Sequence, residues 1–178
     1  NAPAPQTFFE GILKLEAGTY LTCDKKGSIR QHRYWNPTTF QPGSASLTEQ
    51  DYVDELRRLL RQSVRRRMVS DVPFGVFLSG GVDSSLNVAL MAELLDRPVE
   101  TFSIGIKDDP SNEFDYARQV AEHFHTNHHE AVISDEDFIR FLPQMAYLQD
   151  EPVADPVCVP IYYISKLARE SGTPVIQV

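Results

Sequence analysis

Phe74-Gly75-Val76-Phe77-Leu78-Ser79-Gly80-Gly81-Val82-Asp83-Ser84-Ser85 is the stretch that decides the fold of this chain. Phe74 to Leu78 is a short apolar run of the kind that forms a buried strand, and apolar residues recur with helical period from Ser84 to Leu95. Between them, Ser79-Gly80-Gly81 makes a tight turn. A glycine-rich strand-to-helix turn leaves several backbone N–H groups unpaired and aimed at one point, and the helix macrodipole adds about half a positive charge there. Such a point binds anions, phosphate above all. Asp83 and the hydroxyls of Ser79, Ser84 and Ser85 are the oxygen ligands that a phosphate-bound Mg²⁺ takes.

The stretch differs from the common phosphate loop, Gly-x-x-x-x-Gly-Lys-Ser/Thr. Gly75 and Gly80 have the first spacing, but Gly81 and Val82 stand where the lysine and hydroxyl belong. It is not Gly-x-Gly-x-x-Gly either, so a dinucleotide fold gains no support. Without a lysine, backbone amides and a metal must neutralise the phosphate, and a missing Cβ lets the chain approach its ligand closely. The plainer alternatives are a turn that only starts a helix, with Asp83 and the serines idle, and, for Asp83 itself, a helix N-cap carboxylate.

With its flanking strand and helix, Ser79-Gly80-Gly81-Val82-Asp83-Ser84 resembles the Ser-Gly-Gly-x-Asp-Ser pyrophosphate loop of the N-type ATP pyrophosphatases, which cleave ATP between the α- and β-phosphates. The segments around it narrow the likeness: Arg65-Arg66-Arg67-Met68-Val69-Ser70-Asp71-Val72-Pro73, Thr101-Phe102-Ser103-Ile104-Gly105-Ile106, Tyr116-Ala117-Arg118, Val120-Ala121, His128-His129-Glu130 and Asp150-Glu151-Pro152-Val153-Ala154-Asp155-Pro156. In that order they resemble the synthetase domain of the glutamine-dependent asparagine synthase family, over nearly the whole chain.

The resemblance implies an α/β fold of the adenine nucleotide α-hydrolase type: an open parallel sheet with helices on both faces, preceded by a short β-hairpin. It implies ATP and Mg²⁺. Leu78, Ser79, Gly80, Gly81, Asp83, Ser84, Ser85 and Ile104 match the ATP and pyrophosphate positions, with Asp83 as catalytic residue and Mg²⁺ ligand and Ile104 open to a plain core role. Asp150, Glu151 and Asp155 are candidates for the acceptor substrate or a metal, although a proline-stiffened loop also serves as a simple connector.

The implied reaction joins ammonia to a small-molecule carboxylate through an acyl-adenylate, with ammonia drawn from glutamine by a separate glutaminase domain. Neither Cys23 nor Cys158 matches that domain's amino-terminal nucleophile. Some asparagine synthetases carry an Arg and Thr residues in the acidic loop, where this chain has Pro156, Val153 and Ala154. The acceptor is therefore left open between aspartate and another acid. A lactam-forming or other pyrophosphatase-type ligase, and a non-catalytic nucleotide-binding fragment, are the alternatives.

Composition bounds these readings. At 178 residues, 42% hydrophobic, the chain holds one core and a small appendage. A net charge of −8 argues against nucleic acid as a partner. No apolar run approaches a membrane span, and no signal peptide is visible. Two cysteines far apart suit a reducing cytoplasm. A homodimer is neither required nor excluded.

Thr19 to Cys23 alternates, Asp24-Lys25-Lys26-Gly27 turns, and Ser28 to Trp35 returns, so residues 1–35 read as a hairpin segment resembling the end of a glutaminase domain. Residues 36–47 read as a linker. Residues 48–178 read as the amino-terminal part of a synthetase domain, cut before a second ATP-binding loop and inactive alone.

Within that part, Thr48 caps a helix with Tyr52, Leu56, Leu59, Leu60, Val64 and Met68 at helical spacing and arginines on a solvated face. Strands at Val99–Ile106 and His128–Ile133 and helices at Asp115–Phe124, Asp135–Tyr147 and Ile161–Glu170 follow, before a last strand within Thr173–Val178. Such alternation means a parallel sheet with right-handed crossovers. His123, His125, His128 and His129 straddle a helix end and a strand start, which makes their side chains diverge rather than converge on a metal.

Overall fold

A computed structural model describes residues 2–39, 47–149, 153 and 155–178. Two compact units separate, one holding the amino-terminal hairpin and the other Leu47–Leu148 with Asp155–Val178. In the hairpin, β1 (Thr19–Cys23) pairs antiparallel with β2 (Ile29–Arg33), Thr19 opposite Arg33. Asp24 closes the turn, its Oδ1 accepting from Lys26 N at 2.8 Å and Ser28 N at 2.9 Å. Gly27 supplies the left-handed residue, with φ of 79°. Tyr20 stacks on its cross-strand partner His32, centroids 4.9 Å apart.

The second unit is a parallel sheet of β3 (Phe74–Phe77), β4 (Glu100–Ile106), β5 (Asn127–Ile133) and β6 (Val175–Gln177), in the order β5-β4-β3-β6. Its helices are α1 (Glu49–Arg67), α2 (Val82–Leu94), α3 (Phe114–His123), α4 (Asp135–Leu148) and α5 (Cys158–Glu170). Strand alternation divides them between the faces. Val76 and Leu78 bury into Val64 of α1, Val88 and Met91 of α2, and Ala117 and Ala121 of α3. Phe77, Phe102 and Ile104 meet Ile164 and Ala168 of α5, and Ile104 and Ile106 also meet Phe141 of α4. Phe102 is wholly buried between strand and helix, so truncating it to Ala costs about 3–5 kcal/mol. The α/β reading with helices on both faces is therefore the observed one.

The chain grows outward from β3 to β4 and β5, then returns to place β6 on the other side of β3. That reversal opens a crevice at the carboxyl end of β3, where ligands bind in sheets of this type.

Two helix starts differ from the sequence expectation. α2 begins at Val82, two residues before Ser84, with Gly81 as N-cap; Asp83 therefore lies inside the first turn and is not the N-cap. α5 begins at Cys158 rather than Ile161, with Pro160 inside its first turn. A proline there forfeits no intrahelical bond, because the first-turn N–H groups have no partner anyway.

Apolar spacing along α1 runs the length of the helix, but only its later part is covered. Leu60, Val64 and Met68 pack into the core, while Tyr52, Leu56 and Leu59 remain exposed. Arg61 pairs with Glu93 and ties α1 to α2.

Candidate active site

Every feature of the β3–α2 turn follows from where β3 ends. Leu78 is held against β4 at both backbone atoms: its N donates to Phe102 O at 2.8 Å, and its O accepts from the Ser103 hydroxyl. The chain then leaves the sheet at Ser79. Gly80 has φ of 82°, and a Cβ there would stand 2.5 Å from Tyr116 Cβ and 2.6 Å from Ala117 N. Conformation and close approach to α3 both demand glycine.

The turn is closed by hydroxyls. Ser79 Oγ lies 3.0 Å from Ser84 Oγ and accepts from Gly81 N at 3.2 Å. Ser84 Oγ accepts from Ser79 N at 3.3 Å and lies 3.2 Å from Gly81 O, to which it donates. Ser85 N donates to Gly81 O at 3.0 Å, the first bond of α2. Two of the three hydroxyls expected to face a ligand thus shape the loop. The third, Ser85 Oγ, is buried without a partner among the described residues.

No side chain caps α2. Its opening amides and positive dipole end are therefore left for an acceptor from elsewhere, which is the requirement for an anion. Asp83 is exposed in that first turn, the one carboxylate of the turn. One carboxylate beside a phosphate site suits Mg²⁺, which keeps several waters and takes one or two carboxylates plus substrate phosphates. The residues present fit the group.

Beside the turn lies a cleft of about 210 Å³ over the carboxyl ends of β3 and β4. Leu78, Ser79 and Ile104 line it, with Ser103, Gly105 and Ile106. Ile104 borders the cleft and also packs into the core facing α4 and α5. Pro160, at the start of α5, borders the cleft as well. Gly80, Gly81, Asp83, Ser84 and Ser85 belong to the adjoining turn and are not among its lining residues. Asp155 is exposed ahead of α5, its Oδ1 accepting from Val157 N at 3.0 Å, and does not line the cleft. Asp150 and Glu151 lie outside the described residues.

Sequence reasoning missed the far wall, which is the β4–α3 loop. Asn112 turns back onto β4: Ile106 N donates to its Oδ1 at 2.8 Å, and its Nδ2 donates to Ile106 O at 2.6 Å. Gly105 makes room for this, since a Cβ would stand 2.4 Å from the Phe114 ring and 2.7 Å from Asn112 Oδ1. Ser111 donates to Asp109 Oδ1 from its hydroxyl at 2.7 Å and its amide at 2.8 Å. Those bonds hold Asp109 below the ordinary carboxylate range, an anion at the cleft's wall. The signal was present in Asp108-Asp109-Pro110-Ser111-Asn112, a run of turn formers.

Arg118 of α3 reaches β5, where it holds Glu130 through bonds of 2.9 and 2.7 Å and keeps that carboxyl low. The neighbouring histidines turn apart. His128 Nδ1 lies 2.9 Å from Thr101 Oγ1, and burial lowers its pKa. His129 stacks on Phe102 across the sheet's other face and meets Glu100 at 3.1 Å.

Fold and turn together define an α/β domain whose helix at the switch point starts on glycine without a side-chain cap. The chain belongs to the asparagine synthase family, whose model matches residues 55–177. It is 35% identical over 176 residues to a putative glutamine-hydrolyzing asparagine synthetase 2 of Methanocaldococcus jannaschii, covering 98% of this chain and 33% of that protein. It is 35% identical over 172 residues to glutamine-hydrolyzing asparagine synthetase 1 of Bacillus subtilis, covering 96% of this chain and 26% of that one. The chain thus spans about a third or less of these relatives. An NMN synthetase from Francisella tularensis aligns loosely, with a TM-score of 0.45 and 16% identity over 72% of this chain and 53% of its own. Among the described residues no helix is long and apolar enough to cross a membrane.

Proposed function

We propose that this chain is part of an ATP-dependent amidating ligase that activates a carboxylate, aspartate or a related acid, and transfers ammonia to it. The observation that carries the reading is the uncapped start of α2 behind Gly80 and Gly81, beside a cleft at the sheet's switch point, in a member of this family. The ammonia comes from glutamine at a separate glutaminase domain, of which residues 1–35 form the end. Residues 36–47 link it to the synthetase part.

ATP is the substrate that fits the cleft and turn together. Leu78 and Ile104 border the adenine, and the amides at the start of α2 hold the β- and γ-phosphates. A carboxylate oxygen of the acceptor attacks the α-phosphorus. The bond to the bridging oxygen breaks, and pyrophosphate leaves with that electron pair. Ammonia then attacks the acyl carbon, AMP departs, and a proton passes to solvent. Two anions must meet in the first step, so the protein's contribution is alignment and charge stabilisation. Asp83 would hold Mg²⁺, whose charge offsets that of the leaving diphosphate.

The test is exchange of labelled pyrophosphate into ATP by the intact protein, against a panel of aspartate, other amino acids, sugar acids and peptide carboxylates. Exchange that depends on one acid establishes adenylation and names the acceptor. ATP cleaved to ADP, with no exchange under any acid, overturns the reading.

A further inference from the structure

Gln177 of β6 stands opposite Val76 of β3 in the parallel register. Val76 is wholly buried on the face covered by α1, α2 and α3. Alternation therefore sends the Gln177 side chain to that same face. There its Nε2 donates to Asn87 Oδ1 of α2 at 3.0 Å, and its Oε1 is buried without a partner among the described residues. Asn87 follows Asp83 by four residues, one turn along the same side of the helix. The residues of α2 that are buried as a whole are apolar: Val88, Leu90 and Met91. Apolar packing sets how closely a helix approaches a sheet, but similar shapes still pack after a small rotation. A hydrogen bond between two short amides does not survive that rotation, because it needs both distance and angle. A rotation at Asn87 is carried rigidly to Asp83 and to the open amides one turn away.

We propose that Asn87 and Gln177 are positioning residues, and that their amide-to-amide bond sets the rotation of α2 on the sheet and so aims Asp83 and the uncapped amides. The proposal rests on the reading of that helix start as the diphosphate grip, and it adds the two residues that orient the grip from behind. A packing role alone would lower stability and the active fraction. A positioning role lowers turnover of fully folded enzyme, because the lost interaction is one made with the leaving group in the transition state.

The experiment uses the intact protein and three variants: Asn87→Leu, Gln177→Leu, and the exchanged pair Asn87→Gln with Gln177→Asn. Pyrophosphate exchange is measured with the accepted acid and normalised to folded protein. Each leucine variant is expected to lower kcat roughly tenfold with KM for ATP within about twofold, and the exchanged pair to recover most of it. Leucine variants within about twofold of the parent in kcat, or an exchanged pair as slow as either single change, overturn the proposal. If the parent protein shows no exchange with any acid, the ligase reading fails, and amide hydrogen exchange on the same proteins decides the clamp by itself. Residues 82–87 should then exchange roughly tenfold faster in each leucine variant while α3 is unchanged, and equal rates overturn it.

Discussion

α1 and α2 begin in opposite ways. At α1, Thr48 and Asp51 cap each other: Asp51 N donates to Thr48 Oγ1 at 3.3 Å, and Thr48 N donates to an Asp51 oxygen at 2.8 Å. α4 repeats the device with Ser134 and Asp137. At α2 the N-cap is Gly81, which has no side chain to offer. A cap contributes about 1 kcal/mol. Two helices secure that stabilisation from their own sequence, while the one at the switch point forgoes it and leaves its amides for a partner. α3 and α5 also start without a side-chain cap, so what sets α2 apart is its place at the switch point behind Gly80 and Gly81.

The sharpest way to break the contrast is Gly80→Ala. A left-handed alanine whose Cβ meets α3 backbone at 2.6 Å should destabilise the protein by roughly 2–5 kcal/mol and abolish pyrophosphate exchange. Thermal melting and the exchange assay check both. Asp83→Asn should separate function from folding: exchange falls by about 100-fold or more, and stability moves by less than about 0.5 kcal/mol, because Asp83 is exposed. If exchange survives that change, the carboxylate has no part in holding the metal. Thr48→Ala should do the reverse, with about 1 kcal/mol lost in denaturant unfolding and exchange unchanged.

The smallest effect is that of acid. The Thr48 side chain, and then its amide, hold Asp51 below its ordinary 3.8. The Ser134 amide, and then its hydroxyl, do the same for Asp137. A depressed carboxylate stabilises the fold above its unfolded pKa, and that stability is lost as pH falls through the lower folded value. Acidification below 3.8 should therefore open the starts of α1 and α4 before global unfolding. The start of α2 has no carboxylate cap to lose and should not respond. Hydrogen exchange, corrected for intrinsic rates, over residues 48–52, 134–138 and 81–85 reads the difference.

Much of this was legible in the residues. The apolar run to Leu78, the paired glycines and the periodic helix after them announce the turn, and the alternation that follows announces a parallel sheet. The start of α2 at Val82 is hidden in the sequence, because a glycine N-cap carries none of the Ser, Thr or Asp signature that marks α1. The start of α5 at Cys158 is hidden as well, because Pro160 reads as a break, although a first turn tolerates it. The far wall of the cleft was not legible as a wall. Asn112 and Ser103 act by bonding to backbone that lies elsewhere in the chain, at Ile106 and Leu78, and such pairings have no local periodicity. The Asn87–Gln177 contact joins residues still further apart and emerges only with the register of β6.

The sheet order also has a consequence for synthesis on the ribosome. β3 acquires its β4 neighbour soon after it is made, but its other neighbour, β6, arrives only about a hundred residues later. A nascent chain paused before Val175 carries β3 as a bare, apolar margin, open to pairing with another nascent chain. Translation beyond that point closes the margin, so the strand that launches the Gly80–Gly81 turn gains its second partner only with β6.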